Sequence, residues 1–177
     1  MINELSVHAT PSNKKASYVC YASLLSSALC VGVCFFINKY QVIFSALAVV
    51  FITVAIVMYT RYMAASYLYD LTSDADGKPI FVVRSRTGKR DTTLLRIDIY
   101  AIESLKRLSA KEIKAHKCDT GVLKYNYCPT LSPDSAVLMT VRSHYENADV
   151  FIEVSDEFLD YLSTIAKSAR DNYKEKE

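Results

Sequence analysis

The chain has 177 residues, with 21 Lys+Arg against 19 Asp+Glu and a formal net charge of +2. From Met63 onward 17 Lys+Arg face 18 Asp+Glu, so the basic excess of a nucleic-acid-binding protein is missing. Five cysteines, an odd number without tight spacing, argue against a disulfide framework.

Residues 1–15 are polar, with Pro11, Ser12 and Asn13 ahead of Lys14 and Lys15, and read as a disordered N-terminal tail ending in a basic stop. Two uncharged runs follow, Ser17 to Ile37 and Gln41 to Thr60. Each matches the ~20 residues a helix needs to cross a bilayer core. Only Asn38, Lys39 and Tyr40 separate them, so residues 16–62 are expected to form a two-helix transmembrane hairpin. A cleavable signal peptide would have a shorter apolar core and a small-residue cleavage site, which Phe35-Phe36-Ile37-Asn38-Lys39 does not offer.

Lys14, Lys15 and Arg61 flank the outer ends of the hairpin, against Lys39 alone at its tip. That three-to-one bias places both termini in the cytoplasm. Tyr18, Tyr21, Tyr40, Tyr59 and Tyr62 stand at the span ends, where phenol rings favour the headgroup layer. Small residues recur every four positions at Ala22, Ser26, Cys30 and Cys34, with Ser45, Ala48 and Ala55 as a matching face. Such stripes let helix backbones approach, and a tight turn favours packing within the hairpin over oligomerisation. Neither span carries the ionisable groups that an ion or proton path needs.

Residues 63–172 change character and read as a cytoplasmic domain. Tyr67, Tyr69 and Leu71 alternate with Ser66, Leu68 and Asp70, and Asp74-Ala75-Asp76-Gly77 makes a turn. Ile80 to Arg86 is a second strand, with Thr87-Gly88-Lys89 as a hairpin tip. Leu95, Ile97 and Ile99 then share a face opposite Arg96 and Asp98. Ile102 to Leu108 suits helix and strand equally, and Ser109 to Lys117 suits a helical turn or an exposed loop. Strands resume over Val122–Tyr127 and Ala136–Tyr145, and Glu146-Asn147 turns the chain into alternating Val150, Ile152 and Val154. The last element is an amphipathic helix. Ser155 caps it, Asp156 and Glu157 suit its positive end, and Phe158, Leu159, Leu162, Ile165, Ala166 and Ala169 fall on one stripe. Residues 173–177 form a frayed tail.

Six or seven short antiparallel strands followed by one amphipathic helix resemble the pleckstrin-homology-like barrel. With the hairpin, the layout resembles bacterial membrane-anchored proteins carrying a YcxB-like, PH-like cytoplasmic domain. The similarity rests on Leu95-Arg96-Ile97-Asp98-Ile99-Tyr100-Ala101-Ile102-Glu103, on Tyr125-Asn126-Tyr127 and on Ser155-Asp156-Glu157-Phe158-Leu159-Asp160-Tyr161-Leu162. It implies a transmembrane α-helical hairpin plus an α+β, mainly antiparallel, PH-like barrel with a C-terminal helix. It implies no active-site residues.

Arg84, Arg86, Lys89 and Arg90 surround the first hairpin tip and are candidates for contact with anionic lipid headgroups; the plainer reading is a solvated turn balanced by Asp91 and Asp98. Lys106, Arg107, Lys111, Lys114 and Lys117 form a second basic run, interrupted by Glu103 and Glu112, that reads as wet surface. His116, Cys118 and Cys128 lack the paired spacing of a structural zinc site, and Cys128 reads as a small core residue. His8 and His144 have no nucleophile pattern beside them, and Gly77, Gly88 and Gly121 are isolated turn glycines rather than a phosphate cradle. With no catalytic, cofactor or metal constellation, the sequence points to a membrane-anchored, non-enzymatic interaction or scaffold domain. Its partners would be the lipid bilayer, anionic headgroups and a protein partner or second copy, without nucleic acid. A small membrane-bound enzyme or a transporter's accessory subunit is the alternative.

Overall fold

The structure is a computed structural model that describes residues 5–9, 13–118, 121–142 and 147–174. It divides into two compact units, one of Pro11–Ala65 and one of Met1–Thr10 with Ser66–Glu177.

The first unit is an antiparallel helix pair, α1 (Lys14–Phe36) and α2 (Gln41–Tyr62), joined by a single 3-10 turn at Asn38–Tyr40. At 1.5 Å per residue the helices are about 34 and 33 Å long. The basic pair Lys14 and Lys15 occupies the first turn of α1, which has no acidic residue there. A helix in water would prefer the opposite charge at that end. The seam between the helices is periodic. Ala16, Cys20, Ser23 and Ser27 are buried along α1, spaced alternately four and three residues, and Ala48, Ala55 and Tyr62 are buried at sevens along α2. This is the 3.5-residue repeat of helices packed at a shallow left-handed crossing. The expected face on α2 is met at Ala48 and Ala55, though Ser45 is exposed, and the expected four-residue stripe on α1 is corrected: Ala22 is exposed and Ser26, Cys30 and Cys34 are half-buried. Bonds cross the seam from Ser27 Oγ to Ala48 O at 3.3 Å, from Cys20 Sγ to Ala55 O at 3.6 Å and from Cys34 Sγ to Gln41 O at 3.7 Å, and Cys34 Sγ also meets Ser45 Oγ at 3.7 Å. At the open end Asn13 Nδ2 donates to Tyr62 O at 3.0 Å, satisfying a carbonyl that the end of α2 leaves without an intrahelical partner.

The second unit begins before the hairpin. Where a disordered tail is expected, Leu5–Ala9 forms a strand, β1, paired antiparallel with β2 (Ala65–Ser73) in the register Leu5↔Leu71 to Ala9↔Tyr67. The pairing has a hydrophobic reason, because Val7 and Ala9 pack against the core while Ser6 and His8 face away. β3 (Pro79–Thr87) and β4 (Arg90–Asp98) complete a four-stranded sheet in the order β1-β2-β3-β4. A 3-10 turn at Ile99–Ala101 leads into β5 (Ile102–Ser109). The undecided stretches thus resolve into strand β5 and a helix, α3 (Ala110–Cys118). β6 (Leu123–Asn126), β7 (Ser135–Arg142) and β8 (Asn147–Ile152) join β5 in a second sheet, ordered β5-β7-β8-β6. Glu146 and the expected turn around it lie outside the described residues.

The two sheets share one core. Tyr69 and Phe81 from the first meet Met139, Val150 and Ile152 from the second, and the final helix, α4 (Asp156–Lys174), inserts Phe158, Leu162 and Ala166 into the same cluster. Its cap is the expected one, with Ser155 Oγ accepting from Phe158 N at 3.3 Å. Burial of Phe158 and Leu162 contributes roughly 1.5–3 kcal/mol each. The helix continues to Lys174, through residues expected to fray. On the other face of the second sheet α3 covers a smaller cluster with Ile113, against Leu108, Ala136, Leu138 and Phe151. β8 is therefore buried on both faces and carries the unbroken apolar run Val150-Phe151-Ile152. Two corrections to the expected barrel follow. The sheets are separate and do not close, and β6 runs parallel to β8 in an otherwise antiparallel arrangement.

Candidate functional site

The basic hairpin tip is a two-residue connection, with Thr87 paired to Arg90 across Gly88 and Lys89. Gly88 has φ 62° while no non-glycine residue among those described has positive φ, the pattern of a type II′ turn, which needs glycine at that first central position. The four candidate cations are not equivalent. Arg84 Nε lies 2.9 Å from Asp70 Oδ2, a carboxylate buried at 7 % exposure, so Arg84 neutralises an acid inside the sheet. Arg86 Nε lies 3.3 Å from Asp91 Oδ1, directly across the strand pair. Lys89 and Arg90 are exposed, and no described carboxylate lies within ion-pair distance of either. The surplus positive charge is therefore concentrated at the turn itself.

Strand direction fixes where that turn lies in the domain. Ser66 Oγ donates to Arg86 O at 3.4 Å, so the β3–β4 turn sits beside the first residues of β2. Ala9, the last residue of β1, pairs with Tyr67 at the same end. One end of the first sheet thus gathers the two points where the chain passes to and from the hairpin, together with Lys89 and Arg90. At the far end the 74–78 turn is closed by Gly77 N donating to Asp74 O at 2.8 Å. There Arg96 Nη2 lies 2.7 Å from Asp74 Oδ1, and the Ala75 N–H, followed by Arg96, holds the Asp74 carboxyl below the usual carboxylate range.

In the second basic run Lys106, Lys111 and Lys114 are exposed as expected, while Arg107, His116 and Cys128 are architectural. Arg107 belongs to neither a basic patch nor a wet surface. Its Nη2 bonds Val154 O at 3.0 Å and Asp156 Oδ1 at 2.8 Å, tying β5 to the start of α4. His116 Nε2 lies 2.8 Å from Asp149 Oδ2, with the ring edge-on to Phe151 at 5.9 Å and its backbone carbonyl accepting from Lys124 Nζ. The half-buried His116 and the buried Asp149 thus fasten α3 to the second sheet. Cys128 is a core residue, at 1 % exposure, and its N–H donates to Asn126 Oδ1 at 3.1 Å. The Cys118 side chain and His144 lie outside the described residues, and among those described no group of three or more His, Cys, Asp and Glu could hold a metal.

Sequence reasoning missed Tyr69, whose phenol joins both sheets. Its hydroxyl donates to Tyr127 O at 2.9 Å and accepts from Glu153 N at 3.4 Å. Burial raises its pKa far above that of a free tyrosine. Tyr127 is raised too, by burial and then by neighbouring Tyr125, whose ring stacks on it at 6.3 Å.

Comparison with family models, with curated proteins and with solved structures returns no match.

Proposed function

We propose that this chain is a bilayer-anchored, non-enzymatic interaction module, with α1 and α2 as the anchor and the two-sheet domain displayed on the cytoplasmic face. The observation that carries this reading is the pairing of β1 with β2. β1 precedes α1 and β2 follows α2, so a chain that crosses in α1 returns in α2 before its two flanking strands pair. A hairpin of two spans satisfies that requirement, and a single span does not. Large apolar side chains such as Leu25, Phe35, Phe36, Val42 and Ile43 stay exposed along both helices, far more apolar surface than a water-facing helix pair carries. The three-to-one excess of Lys14, Lys15 and Arg61 over Lys39 supports the cytoplasmic side.

Alkaline carbonate extraction combined with protease protection tests this reading. The protein stays in the membrane pellet, and in right-side-out vesicles protease leaves the domain intact until detergent is added. Release into the supernatant rejects the anchor, and digestion in sealed vesicles rejects the cytoplasmic face.

A further inference from the structure

We infer that the end of the first sheet formed by the β3–β4 turn is a membrane-contact surface for anionic headgroups, with Lys89 and Arg90 as its contact residues. The inference rests on the proposed anchor and adds the face by which the domain meets the lipid.

Three observations lead to it. The tether is short, because α2 ends at Tyr62 and β2 begins at Ala65. Two intervening residues span at most about 10 Å, comparable to the ~8 Å Debye length at physiological salt. The antiparallel order of β2, β3 and β4 brings the β3–β4 turn back to that tethered end, where Ser66 bonds Arg86. The sheet is also electrically polar along its strands. Its tethered end carries Arg86, Lys89 and Arg90 against Asp91, a net of +2, while its far end carries Asp74, Asp76 and Asp98 against Lys78 and Arg96, a net of −1.

A strand of nine residues separates the ends by roughly 26 Å, several Debye lengths. Only the basic end can therefore feel the surface potential if the sheet stands on its tether. The two unpaired cations supply the attraction, because Arg86 is already neutralised by Asp91. The hairpin provides the anchoring, and the turn orients the domain against the lipid. The occupant is the anionic bilayer surface itself, since an exposed two-residue turn offers charge without a cavity for a soluble ligand.

Lys89 and Lys78 sit at opposite ends of the sheet, which makes an internal comparison available without mutation. The full-length protein is reconstituted in nanodiscs of phosphatidylcholine alone or mixed with phosphatidylglycerol, pulsed with an amine-reactive acylating reagent and analysed by peptide mass spectrometry. The Lys89-to-Lys78 labelling ratio is expected to fall about tenfold in the anionic discs. It recovers at high salt, and Arg90→Glu moves the anionic-disc ratio back toward the neutral-disc value. A ratio independent of lipid charge overturns the inference while leaving the anchor intact, as does equal protection of both lysines. Carbonate washing of the same reconstituted protein tests the anchor separately; protein released from the lipid overturns the anchor and this surface with it.

Discussion

In the hairpin the side chains that meet are small, Ala16, Cys20, Ser23 and Ser27 facing Ala48 and Ala55, whereas the domain closes around Tyr69, Phe81, Phe151, Met139 and Leu162. The difference is what the proposed bilayer anchor calls for, with lipid around the hairpin and water around the domain. Water drives large apolar groups together, and a domain core gains in proportion to the area it removes from water. Lipid tails are as apolar as leucine, so two helices in a bilayer gain little by burying leucine and instead bring backbones close enough for dispersion and weak hydrogen bonds. The large residues are accordingly turned outward in the hairpin and inward in the domain. Ser27 and Cys20 bond to backbone carbonyls of the facing helix, which only a small-residue seam permits.

That contrast breaks most sharply at Leu162. Leu162→Ala removes a fully buried side chain from α4 and should destabilise the domain by about 2–5 kcal/mol. Hydrogen exchange of the full-length protein in nanodiscs should show faster opening of α4 and both sheets, with α1 and α2 unchanged. Slowed or unaltered exchange in the sheets would mean that α4 does not belong to the core. The converse substitution is Ser27→Phe, which wedges a large group against Ala48 and should cost about 1–3 kcal/mol in the hairpin alone. A seam that tolerates phenylalanine would deny the role assigned to small residues. A smaller effect is expected for Tyr69→Phe, about 0.5–1.5 kcal/mol, because the phenol's hydrogen bonds to Tyr127 O and from Glu153 N are lost. Its pH dependence sharpens the comparison. Burial raises the Tyr69 pKa in the folded state, so unfolded chains release that proton first. Stability is then full below about pH 10, the ordinary tyrosine value, and declines above it. Unfolding measured at pH 8 and pH 11 should show that loss, and Tyr69→Phe should reduce it.

The parts of the fold legible in sequence are those whose information is local. The two long apolar helices follow from uncharged runs, β2 from the alternation of Tyr67, Tyr69 and Leu71, and α4 from its stripe and the Ser155 cap. β1 is invisible by the same criterion. Leu5, Val7 and Ala9 give only three alternating positions, and the strand exists because of a partner on the far side of the hairpin. On α2 the seam was legible at Ala48 and Ala55, but on α1 it was misplaced, because spacing by fours drifts around a helix whereas packed helices meet on alternating steps of three and four. Pairing of β6 with β8 and the separation of the sheets are likewise non-local. At the candidate site the cluster of four cations was legible, but its division was not. Which arginine meets Asp70 and which meets Asp91 depends on register, and the end of the sheet they occupy depends on strand direction.

The central claim is that the strand before the hairpin and the domain after it lie on one side of the membrane. Impermeant maleimide labelling of intact cells tests it, with single cysteines introduced by Ser6→Cys, Lys39→Cys and Lys176→Cys and the unmodified chain as background. The account predicts that Lys39→Cys reacts from outside, while Ser6→Cys and Lys176→Cys react only after the membrane is permeabilised. Labelling of Ser6→Cys without Lys176→Cys, or of Lys176→Cys without Ser6→Cys, would put the two strands on opposite sides and contradict it.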